Sequence, residues 1–198
     1  MPYTAEHKQE TRTRIIKSAR RLFNRNGFAE VTIDEIMDDA GLTRGGFYKH
    51  FAAKEDLYQA AVLQFICNEM PENWQRTHID PQARGRALAR MIVEAYLSRE
   101  HYDDRDASCP MIALPSDVAR GNRGVKDAFR QVLQMILTVF EDNAPRGKMS
   151  KRDQALATAA TVIGGMVLAR ALDDPELSDE LRDAARRDVM QRTSWDRA

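Results

Sequence analysis

Three things are scarce in this chain of 198 residues: strand signals, cysteine and net charge. Alternating apolar and polar runs are nearly absent, which leaves helices to build the core; at this length that core is ample for one large domain or two small ones. Two cysteines, Cys67 and Cys109, are too few for a disulfide framework and lack metal-ligand spacing. The 30 basic and 30 acidic residues cancel, so no global field draws the chain toward nucleic acid or membrane. The opening MPYTAEHKQE has no apolar signal-peptide core. The nearest membrane lookalike, Ala155 to Ala169, reads as too short to span. No nucleophile elbow, phosphate loop or zinc-spaced ligand set occurs. The expectation is a soluble, cytoplasmic, non-enzymatic protein with no cofactor, no metal and no membrane partner.

The zero balance hides a local excess. Lys8, Arg12, Arg14, Lys17, Arg20, Arg21 and Arg25 face only Glu10 across the same stretch, so a nucleic-acid surface is to be sought near the N-terminus. Helical periodicity runs almost throughout. Ile15, Ile16, Ala19, Leu22 and Phe23 share a face, and Gly27 supplies a stop. Thr32 with Glu35 forms a capping box, Val31 with Ile36 a hydrophobic staple, predicting a short helix from Ile33 to Ala40. Gly41 makes a turn, and Thr43 is read as the cap of a third helix ending near Phe51. A fourth helix runs from about Lys54 to Met70, where Pro71 breaks it. Asp80-Pro81 opens a fifth, with Leu88, Met91, Ile92, Ala95 and Tyr96 as its buried stripe. His101 to Gly124 is irregular, its helices short or kinked by Pro110 and Pro115. Val125 to Phe140 is helical. Ser150 with Asp153 caps a broad apolar helix that ends at Asp173-Asp174-Pro175, before a last helix carrying Leu177, Leu181, Ala185 and Val189.

Function is concentrated between Thr32 and Lys54, TIDEIMDDAGLTRGGFYKHFAAK. A helix laid in the major groove sets its first residues against base edges while its flanks grip phosphates. Arg44 is the natural base reader, because a guanidinium donates two bonds to guanine. Two glycines inside a short helix cost roughly 1 kcal/mol each, so Gly45 and Gly46 are read as a cost accepted for close approach to the groove. Tyr48, Lys49 and His50 lie away from Phe47 and Phe51, where phosphate donors are useful. Lys54 adds an ammonium at the first turn of the next helix. Each feature singly fits an ordinary solvated surface; the conjunction points to DNA.

Residues Ile15 to Leu57, with the run VTIDEIMDDAGLTRGGFYKHFAAKEDL, resemble the DNA-binding domain of the TetR family of transcriptional regulators. The F-Y-x-H-F-x-x-K-E-x-L ending is the most specific part. The resemblance implies an all-α subunit of about nine helices, with a helix-turn-helix domain over residues 1–54 and a helical ligand-binding and dimerisation domain over 55–198. It implies a homodimeric repressor on a palindromic double-stranded operator, released by a small-molecule or electrophile signal. Base contacts fall to Arg44 and Gly45, phosphate contacts to Thr32, Thr43, Tyr48, His50 and Lys54, with Lys49 suited to either. One departure is visible: Ala53, at the cap before Lys54, has no side-chain oxygen, at a typical cost of about 1 kcal/mol.

The remainder is read more openly. Ala159, Ala160, Ile163, Gly164, Met166 and Val167, with Leu177, Leu181 and Val189, suit an intermolecular helix bundle; an internal core fits the composition almost as well, and the resemblance tips the choice to the dimer interface. Phe65, Met70, Trp74, Met91, Tyr96, Cys109, Met111, Phe129, Met135 and Met166 are candidate effector-pocket walls or ordinary core. Cys109 before Pro110 is either a redox or electrophile sensor at a helix start or a small buried hydrophobe. His101, Asp103, Asp104 and Asp106 read as a solvated acidic loop rather than a metal site, and Cys67 as core. The competing functions are a protein-interaction module without DNA binding and a helical enzyme.

Overall fold

The computed structural model describes residues 5–67, 79, 80 and 82–196. Met70, Pro71, Trp74 and Pro81, and the side chain of Cys67, lie outside that description. Among the described residues there are eleven helices and no strand: α1 Ala5–Glu30, α2 Ile33–Asp39, α3 Arg44–Phe47, α4 Lys54–Cys67, α5 Gly85–Tyr96, α6 Arg99–Asp103, α7 Pro110–Ala113, α8 Pro115–Arg120, α9 Arg123–Asp142, α10 Lys151–Ala171 and α11 Pro175–Thr193. Contacts divide the chain into two compact units, Met1–Asn68 with Arg105–Val132, and Glu69–Asp104 with Leu133–Ala198.

The first unit is built on α1. Its apolar face buries Ile15, Ile16, Ala19 and Phe23, as the sequence spacing predicts; Leu22 stays half-exposed. Gly27 breaks the helix at φ 78°, a left-handed conformation that costs glycine little. The chain on either side of it is then tied down by residues far away in sequence. Asp117 accepts the Phe28 N–H at 2.9 Å, and Asn24 Nδ2 donates to the carbonyl oxygens of Asp106 and Ser108 at 3.0 and 2.9 Å. Phe28 stacks on Tyr58 of α4 at 4.6 Å between ring centroids, and Phe23 meets the same ring edge-on at 5.1 Å. Burial, with the Asp117 carboxylate adding to it, drives the Tyr58 hydroxyl well above its ordinary pKa.

The second unit packs α10 against α11, with α5 and α6 alongside. Gly165 makes that crossing close: a β-carbon there would stand 2.8 Å from the Ala185 Cβ. Arg182 is buried and donates to the Leu97 carbonyl at 2.8 Å, while Trp195 Nε1 donates to the Asn143 carbonyl at 2.8 Å. Ser150 caps α10 through the Asp153 N–H, as its sequence predicts. Asp174 caps α11 with Pro175 in the first turn, so the pair that ends one helix also starts the next.

Several expectations are corrected. α5 begins at Gly85, not Pro81, because Asp80 is used in a turn, its carboxylate accepting the Gln82 N–H and its carbonyl the Ala83 N–H. Its buried stripe is Ala89, Ile92, Val93, Ala95 and Tyr96; Leu88 and Met91 are only half-buried. α3 is one turn long and stops at Phe47, with turns carrying the chain on to Phe51. α10 has 21 residues, long and apolar enough to cross a membrane by length and composition, against the shorter stretch read from sequence. In this structure it buries Ala155, Thr158, Ala159, Val162, Met166 and Ala169.

Candidate nucleic-acid interface

α2 is set by its capping box. The Thr32 hydroxyl accepts the Glu35 N–H at 3.2 Å, and the Glu35 carboxylate takes the Thr32 N–H at 2.7 Å and its hydroxyl at 2.9 Å. Those bonds to Thr32 hold the Glu35 carboxyl below its ordinary pKa. Val31 and Ile36, the expected staple pair, are both buried. Gly41 then turns the chain at φ 65°, and Arg14 of α1 closes the end of α2 by donating to the Ala40 carbonyl at 2.6 Å.

α3 follows at once. Phe47 and Phe51 are buried with rings 5.8 Å apart, anchoring the turn from beneath. Thr43 sits in the cap position, but its side chain makes no capping bond, contrary to expectation. Its hydroxyl, the Arg44 guanidinium, Gly45, Tyr48 and Lys49 are exposed, Tyr48 to 60%. A β-carbon on Gly45 would meet nothing within 4 Å, so packing within the described residues does not demand that glycine. Gly46 is half-buried over Met37.

Three expected phosphate donors look different in place. The Lys54 ammonium donates to the carbonyl oxygens of Phe28 at 2.7 Å and Val31 at 2.6 Å and lies 4.3 Å above the Phe28 ring. It is spent on closing the end of α1, and burial lowers its pKa. The Thr32 hydroxyl is committed to its box. His50 is half-buried with Nδ1 enclosed and without a partner among the described residues. Burial, then Lys8, Arg12 and Lys49, lower its pKa, so it is chiefly neutral at pH 7. The bare cap at Ala53 is repaired from the other side: Asp56 accepts the Ala53 N–H at 3.2 Å, half of a capping box.

At least four of the seven bases of α1 are engaged by the protein's own groups. Arg12 stacks over Phe51, Arg14 caps α2, Arg21 pairs with Asp39 and Arg25 with Asp106. Sequence reasoning also missed the charged partner of Arg44. Asp34, the second residue of α2, takes Arg44 Nη1 at 2.5 Å. A carboxylate ten residues before an arginine, across a Gly turn, is the signal that could have found it.

The model of the bacterial regulatory proteins of the tetR family matches residues 15–61, the span of this helix-turn-helix. By that match, residues 15–61 carry a DNA-binding domain of the TetR family. The chain is 30% identical over 124 residues to the HTH-type transcriptional regulator YerO of Bacillus subtilis, a match covering 62% of this chain and 42% of YerO. Over 59 residues it is 47% identical to the HTH-type transcriptional regulator TtgR of Pseudomonas putida, covering 30% of this chain and 28% of TtgR. The matches thus span less than half of either relative's length. The fold extends further. Reduced NemR of E. coli superposes with a TM-score of 0.72 at 16% identity, over 92% of this chain and 96% of NemR. SmeT in its triclosan complex superposes with a TM-score of 0.62 at 24% identity, over 92% and 91% of the two chains.

The residues expected at the effector pocket fall in both units. Phe65, Cys109 and Met111 are buried and Phe129 half-buried in the first unit; Tyr96 and Met166 are buried and Met91 half-buried in the second. Met135 is no core wall: it is 36% exposed, on the outer side of α9. Within the second unit Tyr96 joins Ile92, Ile136, Phe140, Ala159, Val162 and Ile163 around a narrow, wholly apolar crevice. Apart from Tyr96, none of these was read as a pocket wall, although their helical stripes mark them as inward-facing.

The residues expected at a dimer interface divide. Ala159, Met166 and Val189 are buried inside the second unit. Ala160 and Leu177 are exposed, and Ile163, Gly164, Val167 and Leu181 half-exposed. Leu156 and Leu168, not named from the sequence, extend that outer face. The acidic cluster is engaged by arginines: Asp103 by Arg99, Asp106 by Arg25, and the His101 and Asp104 carbonyls by Arg170.

Proposed function

We propose that this chain is a TetR-family DNA-binding transcription regulator of the cytoplasm, a repressor that holds a palindromic operator as a homodimer. In this reading residues 1–54 bind DNA, residues 55–198 dimerise and receive the effector, and effector binding releases the operator. The observation that carries it is the exposed edge of α3: Thr43 with its hydroxyl unspent on the cap, Arg44, the open Gly45, Tyr48 and Lys49. An arginine and an unhindered glycine at the start of a short helix suit base edges, and the flanking hydroxyls and ammonium suit phosphates. The contact set is therefore centred on Thr43, Arg44, Gly45, Tyr48 and Lys49, with His50 as a neutral donor and with Thr32 and Lys54 as supports of the scaffold.

Two half-sites need two copies. The outer stripe of α10, Leu156, Ala160, Gly164, Val167 and Leu168, continued by Leu177 of α11, is the surface proposed for that pairing. Its small residues allow a close helix crossing. The effector proposed is a small molecule received within residues 55–198. An electrophile signal through Cys109 is disfavoured by the burial of that side chain.

The test is selection from a duplex library with purified protein, followed by titration at several salt concentrations. The expected result is a palindromic preference, a dimer on the duplex, and affinity falling steeply with salt. Arg44→Ala is expected to relax preference at one base step of each half-site, by about 1–3 kcal/mol. Binding no tighter than that to random duplex, at every salt concentration, would overturn the reading.

A further inference from the structure

The guanidinium placed to read bases is not alone. Arg44 Nη1 donates to Asp34 Oδ2 at 2.5 Å, and both side chains are half or more exposed. Exposed ion pairs contribute little to stability, so the consequences of this one are orientation and charge. The other carboxylate oxygen, Asp34 Oδ1, is enclosed by protein and has no hydrogen-bond partner among the described residues. The carboxylate thus has one oxygen enclosed and the other on Arg44, its one hydrogen-bond partner among the described residues.

We infer that Asp34 is a positioning and specificity residue: it aims Arg44 at a base and keeps it off the phosphates. This rests on the DNA-binding reading above. Three physical effects act together. A guanidinium has five N–H donors in a rigid fork, so one bonded to Asp34 leaves others to reach O6 and N7 of a guanine. Holding the arginine in one rotamer lowers the entropy lost when that contact forms. Finally, a carboxylate beside the guanidinium offsets its charge and repels phosphate oxygens, while it can accept a hydrogen bond from a cytosine N4 amine. The pair therefore favours a G·C step and penalises unselective backbone binding.

The experiment compares wild type, Asp34→Ala, Asp34→Asn and Arg44→Ala by library selection, and by titration against selected and random duplexes at two salt concentrations. Asp34→Ala is expected to bind random duplex several-fold more tightly, with a steeper salt dependence, because a repelling charge is gone. It should lose about tenfold in discrimination at the same base step that Arg44→Ala marks. Asp34→Asn, of equal shape, should retain the fold and show the same change of salt dependence, which a purely structural role would not move. If wild type shows a base preference and both Asp34 variants keep it, with the same ratio of selected to random affinity, the role of Asp34 is overturned alone. A wild type without any preference overturns the DNA-binding reading and this inference with it.

Discussion

The ammonium of Lys54 lies 2.6 Å from the Val31 carbonyl and 2.7 Å from the Phe28 carbonyl, so the first residue of α4 ties off the chain that leaves α1. Carbonyls past a helix end are costly to leave unmet, and a cation meets them with charge-assisted bonds. Lys54→Ala is accordingly expected to destabilise the protein by about 1–3 kcal/mol. Urea unfolding measures it. A variant as stable as wild type but weaker on all duplexes would return Lys54 to the role of a phosphate grip.

Neighbouring glycines on α10 should behave oppositely. Gly165→Ala brings a methyl to 2.8 Å from the Ala185 Cβ and is expected to cost about 1–3 kcal/mol by overpacking. Gly164→Ala meets nothing within 4 Å in its own chain and should there be neutral or stabilising by up to about 1 kcal/mol through helix propensity, so any loss reports the pairing surface proposed for α10. Thermal unfolding of the two variants side by side checks the contrast.

Acid should weaken the second unit through His101. Its Nε2 is enclosed without a partner among the described residues; burial first, and then the Arg170 charge, lower its pKa to about 4, with Asp104 opposing them. The unfolded chain binds the proton near pH 6.5 and the folded chain only near 4. Stability is therefore complete above about 6.5 and falls as pH drops toward 4, by roughly 3 kcal/mol in all. Denaturant titrations at pH 5 and 7.5 should show a smaller loss for His101→Gln than for wild type.

Cys109 is 1% exposed. In a Cys67→Ser background, a thiol reagent should modify it far more slowly in native protein than in denaturant. Equal rates would restore the sensor reading, since a reactive cysteine must be reached as well as ionised.

How much of this was legible depended on how local the cause was. The Thr32–Glu35 box, the Val31–Ile36 staple and the Ser150 cap each lie within a few residues, and sequence spacing located them. The α3 edge was legible for the same reason. The fates of Lys54 and Arg25 were not: their partners, Phe28 and Asp106, lie 26 and 81 residues away, and a basic side chain looks alike whether it faces a phosphate or a carbonyl. The start of α5 was misplaced because Asp80 suits a turn as well as a cap, and only tertiary context chooses. The outer and inner faces of α10 were confused because alanine and glycine populate both, which leaves too little contrast to fix the helix's rotation.

The kink at Gly27 carries a consequence for transplantation. The chain beyond it is secured by Asp117, and the turn before it by the Asp106 and Ser108 carbonyls that hold Asn24. Residues 1–67 moved alone onto another scaffold would leave behind the chain that finishes their first helix. A chimaera meant to exchange operator preference while keeping its melting temperature must carry residues 105–120 with the helix-turn-helix, as a graft in two pieces.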